Sequence, residues 1–124
     1  MKHSEGFLKL VDDAKSRIRE VTVAETQSRL KQNPAAKLID VREDNEFAAA
    51  HAAGATHLGK GIIERDIETT VPDKNTELIT YCGGGYRSAL VTDVLQKMGY
   101  TNVFSMAGGW KAWQEAGGST DYTE

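Results

Sequence analysis

The sequence predicts an α/β domain of three layers, α/β/α, with a mainly parallel sheet in the middle. Three observations carry this. Short apolar runs of strand length alternate with segments of helical periodicity along most of the chain. One run, Lys37-Leu38-Ile39-Asp40-Val41, is almost continuously apolar, as a parallel strand covered on both faces requires. The length, 124 residues, suits one domain with one core.

The elements follow in chain order. Phe7, Leu8, Leu10, Val11, Ala14 and Ile18 recur at helical spacing, so residues 4–18 read as an amphipathic helix capped by Ser4, with its stripe packed on the domain. Glu20-Val21 reads as the end of a short strand. Thr22-Val23-Ala24-Glu25 is a capping box, and the helix it opens ends at Asn33-Pro34. After the strand at 37–41, residues 43–50 suit a short helix with Phe47 facing inward. Gly54 breaks the chain before a short strand at Thr56-His57-Leu58, and residues 61–68 form a helical turn. Val71-Pro72-Asp73-Lys74-Asn75 is a turn. Glu77-Leu78-Ile79-Thr80-Tyr81 is a strand that ends directly at Cys82. Ala89, Leu90, Val91, Val94, Leu95 and Met98 mark a helix stopped by Gly99. Asn102-Val103-Phe104-Ser105-Met106 is another strand, and Gly108-Gly109 leads into a last helix carrying Trp110 and Trp113. The polar tail from Gly117 is expected to fray. The chain thus divides into an N-terminal helical extension (1–19), a domain (20–118) and a frayed tail (119–124).

About 40% of residues are apolar and 27% charged, with a net charge of −3, which is ordinary for a soluble domain and gives no electrostatic case for nucleic acid. No apolar run approaches the ~20 residues of a membrane helix. Lys9, Asp12, Asp13 and Lys15 interrupt any signal-peptide core, so a cytoplasmic location is expected. There is one cysteine, so no disulfide forms within the chain.

That cysteine is the candidate nucleophile. Ligands of open parallel sheets sit beyond the carboxyl ends of strands, and Cys82 leaves such an end. Gly83, Gly84 and Gly85 let the backbone bend tightly and approach a ligand. A run of N–H groups feeding into a helix there makes an anion nest that favours a thiolate. Arg87 sits where a cation opposes the helix dipole, which makes sense if an anion lies between them. Tyr86 is placed to shape the entrance, and Ser88 completes the loop.

The four segments that carry the chemistry occur together: Asp40-Val41-Arg42 with Glu46-Phe47; His51 through Gly54 to His57-Leu58; Cys82 to Ser88; and Asn102 to Trp110. In this set and order the sequence resembles the single-domain rhodaneses, the thiosulfate sulfurtransferase family, over roughly residues 20–116. The resemblance implies a five-stranded parallel sheet and a ping-pong reaction. The Cys82 thiolate would take the outer sulfur of thiosulfate or a similar small anionic donor, release sulfite, and hold a persulfide that cyanide or a thiol then accepts. The cradle would be Gly83, Gly84, Gly85, Tyr86, Arg87 and Ser88. Asp40, Arg42 and Glu46 are expected to support it, Asp40 by accepting loop N–H bonds and Arg42 by pairing with Glu46. No metal and no cofactor are implied.

Ala50-His51-Ala52 departs from the family, which usually has Gly before this His and a β-branched residue after it. The turn is expected to survive because Gly54 is retained, with His51 structural. Lys60 and Arg65, after the third strand, are candidates for the pocket rim, where they would steer anions. Trp110 and Trp113 are read as packing. Three rival functions stand beside sulfur transfer to a small acceptor. One is a persulfide carrier serving a protein acceptor. Another is a phosphatase or arsenate reductase, although related folds with that chemistry place five residues between Cys and Arg, against four here. The third is a non-catalytic regulatory module, against which the retained cysteine and its loop argue.

Overall fold

The computed structural model describes residues 3–123. The elements, in chain order, are α1 (Glu5–Lys15), β1 (Glu20–Val21), α2 (Val23–Gln32), β2 (Lys37–Asp40), α3 (Asp44–Ala49), β3 (His51–Ala52), β4 (Thr56–His57), α4 (Ile63–Thr70), β5 (Leu78–Tyr81), α5 (Tyr86–Lys97), β6 (Val103–Met106), α6 (Gly109–Glu115) and β7 (Thr120–Asp121). Five strands form one sheet in the order β1-β6-β5-β2-β4, and every pairing in it is parallel. This is the expected three-layer arrangement.

Strand alternation divides the core in two. Ile39, Leu78 and Val103 face one side with Ile63 and Ile67 of α4 and Val91 and Leu95 of α5. Leu38, Ile79, Tyr81 and Phe104 face the other with Val23 of α2 and Trp113 of α6. Side chains one residue apart on a strand point to opposite faces, so both layers are filled from the same three strands. The chain leaves β2 toward β4 on one side and leaves β5 toward β6 on the other. The switch point therefore lies between β2 and β5, where Asp40 and Tyr81 are register partners.

The capping box on α2 is present: Thr22 Oγ1 accepts from the Glu25 amide at 3.1 Å, and Glu25 Oε1 accepts from the Thr22 amide at 2.8 Å. Ser4 occupies the N-cap position of α1, but its side chain makes no capping bond. The helix stops at Lys15, short of 18, where Ser16 Oγ donates to the Asp13 carbonyl at 2.6 Å. Its stripe covers α5, with Val11 and Ala14 fully buried, while Leu10 faces solvent. Arg17, just past α1, donates to both Asp93 carboxylate oxygens on α5 at 3.0 and 2.8 Å. Those bonds hold the Asp93 carboxyl below its usual range, burial opposing them.

The tail departs from expectation. Residues 119–123 do not fray: β7 pairs antiparallel with β3, His51 opposite Asp121. Trp113 Nε1 donates to the Ser119 carbonyl at 2.9 Å, and the Ala53 and Thr123 amides donate to Ser119 and Ala48 carbonyls. Burying an indole N–H requires an acceptor, and the tail supplies it. Phe47 is half-buried, stacked on His51 at 3.6 Å and His57 at 4.6 Å between ring centroids.

A chain ending at Gly118 is expected to lose about 1–2 kcal/mol of stability, the net worth of a few hydrogen bonds less the ordering of the tail. Urea unfolding of the two chains checks this. Coincident midpoints would mean that the tail contributes nothing.

Candidate active site

Cys82 follows the central strand β5 directly. Its carbonyl is turned toward α6, where the Trp110 amide donates to it at 2.7 Å, and the Lys111 amide donates to the Gly83 carbonyl at 3.2 Å. Farther along the loop, amides turn in: Gly85 N lies 3.1 Å and Ser88 N 3.3 Å from Cys82 Sγ. Two glycines permit this. Gly85 has φ +98, a conformation that side chains rarely adopt. Gly109 has φ +52, and a Cβ there would collide with the Cys82 carbonyl and the Gly83 backbone. The doublet Gly108-Gly109 thus does more than open a helix. It lets α6 reach the loop.

Behind the sulfur stand two buried hydroxyls. Ser88 Oγ is 3.5 Å from Sγ and 2.8 Å from Ser105 Oγ on β6. A thiol proton points to Ser88. Once that proton is gone the chain can reverse, Ser105 donating to Ser88 and Ser88 to sulfur.

In front of the sulfur opens a cavity of about 520 Å³. Cys82, Gly83, Gly84, Tyr86 and Arg87 line it from the loop, and Glu46 lines it from α3. His3 and Phe7 close a further side; sequence reasoning had assigned the α1 stripe to packing alone and missed both. The signal available was the start of that apolar stripe at Phe7.

The supporting residues pair differently than expected. Arg42 does not bind Glu46. Its guanidinium grips Asp40, with Nη2 at 2.8 Å from Oδ2 and Nε at 3.1 Å from each oxygen. The Arg42 amide also donates to Asp40, at 2.9 Å. Asp40 accepts no loop amide. It accepts the Tyr81 hydroxyl at 2.6 Å, and that hydroxyl accepts the Ala52 amide at 3.0 Å. Asp40 therefore holds the residue before Cys82, one step removed from the loop. Burial, then the bond to Asp40, push the Tyr81 hydroxyl well above its ordinary range. Burial works to lower Arg42, and the Asp40 contacts override it, leaving Arg42 raised.

Glu46 pairs with Arg87, Oε1 to Nη1 at 3.3 Å, because α3 points it across the cavity mouth. Burial opposes its charge, but the Glu43 amide and Arg87 leave its carboxyl lowered. Lys60 and Arg65 are not among the residues that line this cavity. Both are exposed, and Arg65 is bound to Asp66 at 2.7 and 3.0 Å. His51 is packed against Phe47, Nδ1 at 2.7 Å from its carbonyl.

Tyr81 carries a pH prediction. An unfolded tyrosine titrates near ~10. Above that pH the unfolded chain releases a proton that folded Tyr81 retains, so its contribution is full below ~10 and declines as pH rises further. Tyr81→Phe is expected to be about 1–3 kcal/mol less stable near neutrality, because Asp40 and the Ala52 amide lose a buried partner. The gap from wild type should hold up to about pH 10 and narrow above it in urea titrations. A constant gap would contradict the assignment. Gly109→Ala is expected to lower stability by at least ~2 kcal/mol, since backbone must shift to clear the new methyl.

Comparison with known proteins agrees with this geometry. The family model of the rhodanese-like domain matches residues 22–116. The thiosulfate sulfurtransferase PspE of Escherichia coli (strain K12) is 38% identical over 73 residues, 59% of this chain and 69% of that protein. The thiosulfate sulfurtransferase GlpE of Haemophilus influenzae (strain PittEE) is 34% identical over 98 residues, 79% of this chain and 90% of that protein. Among solved structures, a Rhodopseudomonas palustris protein of unknown function, described as a possible tyrosine phosphatase, superposes with a TM-score of 0.82 at 26% identity, covering 98% of each chain. With a cysteine loop closing the central strand of a five-stranded parallel sheet and a family match spanning most of its length, the chain belongs to the rhodanese-like domain family.

Proposed function

We propose that this chain is a sulfurtransferase whose Cys82 carries a sulfane sulfur as a persulfide. The observation that carries the reading is Cys82: the residue is 1% exposed, its sulfur is bonded by the Gly85 and Ser88 amides, and it lines the cavity. Donors fixed beforehand around a site of negative charge stabilise it without reorganising.

In the first half-reaction the Cys82 thiolate attacks the outer sulfur of thiosulfate. The S–S bond of the donor breaks, its electron pair leaves on sulfite, and Cys82 holds the persulfide anion. In the second, cyanide or a thiolate attacks the terminal sulfur and the pair returns to Sγ. Charge is conserved in both steps. The Gly85 and Ser88 amides hold Sγ, while the charge of the persulfide lies on its terminal sulfur. Arg87 is the cation available to the donor, and Glu46 competes for it. A dianion entering the cavity must draw Arg87 away from that carboxylate.

Incubation with thiosulfate and intact-protein mass spectrometry tests the reading. The wild type should gain the mass of one sulfur and Cys82→Ser none. Absence of the adduct together with absence of thiosulfate:cyanide transfer refutes it. Aryl phosphate hydrolysis lost in Cys82→Ser would establish the phosphatase reading instead. Arg87→Ala should raise the thiosulfate KM about tenfold, the scale of a charge-assisted bond, while Glu46→Gln should lower it severalfold by freeing Arg87. A higher KM in Glu46→Gln would mean that Glu46 orients Arg87 and does not compete for it.

A further inference from the structure

The cavity is too large for the small anions of the reaction. About 520 Å³ falls within the ~300–1,000 Å³ that takes an organic ligand, far beyond what thiosulfate or cyanide fills. Its walls are also unlike one another. One carries the Arg87–Glu46 ion pair, whose charges offset. Another is aromatic: the His3 ring lies 4.4 Å from Tyr86 and 5.3 Å from Phe7, and Phe7 lies 6.3 Å from Tyr86, between centroids.

Two of the three residues of this aromatic wall come from outside the family domain. Phe7 and His3 precede the matched region, which begins at residue 22. They are held in place by α1, which Arg17 ties to Asp93 and whose following carbonyl, that of Arg17, accepts the Gln96 side chain at 3.0 Å. Lys15 Nζ sits 5.4 Å from the centre of the Tyr86 ring. All three aromatic residues are half-buried, so each still has surface to cover.

We infer that His3, Phe7 and Tyr86 form an acceptor subsite for a low-molecular-weight thiol with an apolar or aromatic body. This rests on the sulfurtransferase reading and names its acceptor class. The thiol end reaches the sulfur on the cavity floor while the body lies against the wall. Because Glu46 offsets Arg87, the cavity does not demand a charged acceptor. The thiolate attacks the terminal sulfur of the Cys82 persulfide, R–S⁻ + Cys82–S–S⁻ → R–S–S⁻ + Cys82–S⁻. One S–S bond forms and one breaks, and no outside oxidant or reductant is needed.

A matched pair of thiols tests it. Persulfidated protein is mixed with 2-phenylethanethiol or 2-mercaptoethanol, and the ratio of second-order rate constants is read. In wild type the ratio should favour the aromatic thiol by about tenfold, the scale of burying one ring. In Phe7→Ala, checked for folding by circular dichroism, it should fall at least threefold. A ratio changed by less than twofold overturns the inference. Saturation-transfer NMR with methyl phenethyl sulfide, which cannot accept sulfur, reads the wall without turnover. If the wild type forms no persulfide, the sulfurtransferase reading fails and the NMR alone decides. Ring saturation abolished by Phe7→Ala then supports the subsite, and no saturation in wild type overturns it.

Discussion

The site depends on two hydrogen bonds in which α6 takes the carbonyls of Cys82 and Gly83. A peptide plane carries its C=O and N–H on opposite sides, so fixing the Cys82 and Gly83 carbonyls toward α6 also fixes where the Gly83 and Gly84 amides point and so holds the start of the loop. Further along, Gly85 at its positive φ and Ser88 in the first turn of α5 present their N–H groups to the sulfur. The close approach of α6 is possible because residue 109 lacks a Cβ. A helix on one face of the sheet thereby orients the loop that opens a helix on the other face.

The loop is also held from beneath its first residue. Asp40 and Tyr81 are register neighbours at the switch point, and the Asp40 carboxylate is shared between the Tyr81 hydroxyl and Arg42. Asp40 is fully buried and Arg42 nearly so. Such a pair adds little net stability against an apolar replacement, but removing one partner strands a buried charge at a cost of ~3–5 kcal/mol. Its contribution here is positional. It fixes the carboxyl end of β5 against β2, and Arg42 also donates to the Ala50 carbonyl and lies 4.8 Å from the Trp110 ring centroid. β2, α6 and the segment before β3 meet at one guanidinium.

What the sequence revealed and what it hid divide along physical lines. The sheet strands were legible because apolar runs such as Leu38-Ile39 and Leu78-Ile79 announce burial on both faces. The box at Thr22 and Glu25 was legible because both partners lie within one helical turn. The Cys82 loop was legible because glycines, a cysteine and a misplaced arginine have few other uses together. What was hidden is which partner a side chain or a short strand takes. Nothing local says that Arg42 prefers Asp40 to Glu46, or that Glu46 crosses to Arg87. Two-residue strands such as β3 and β7 have no periodicity to read, so a polar tail passed for a loose end. Lys60 and Arg65, outside the cavity lining, illustrate the same point: proximity in sequence to a strand end says little about the direction of a long side chain.

The pairing of β3 with β7 bears on how the molecule comes apart. It joins His51 to Asp121, 70 positions apart in the chain, and closing so long a loop is slow relative to local contacts. As a hypothesis, this clasp forms after the folding transition state, so it slows opening far more than it speeds assembly. A chevron plot of the shortened chain would then move on its unfolding arm, and movement on the folding arm would reject the idea. The short terminal strand would be a latch on native lifetime, set beside α3, the helix that carries Glu46 to the cavity.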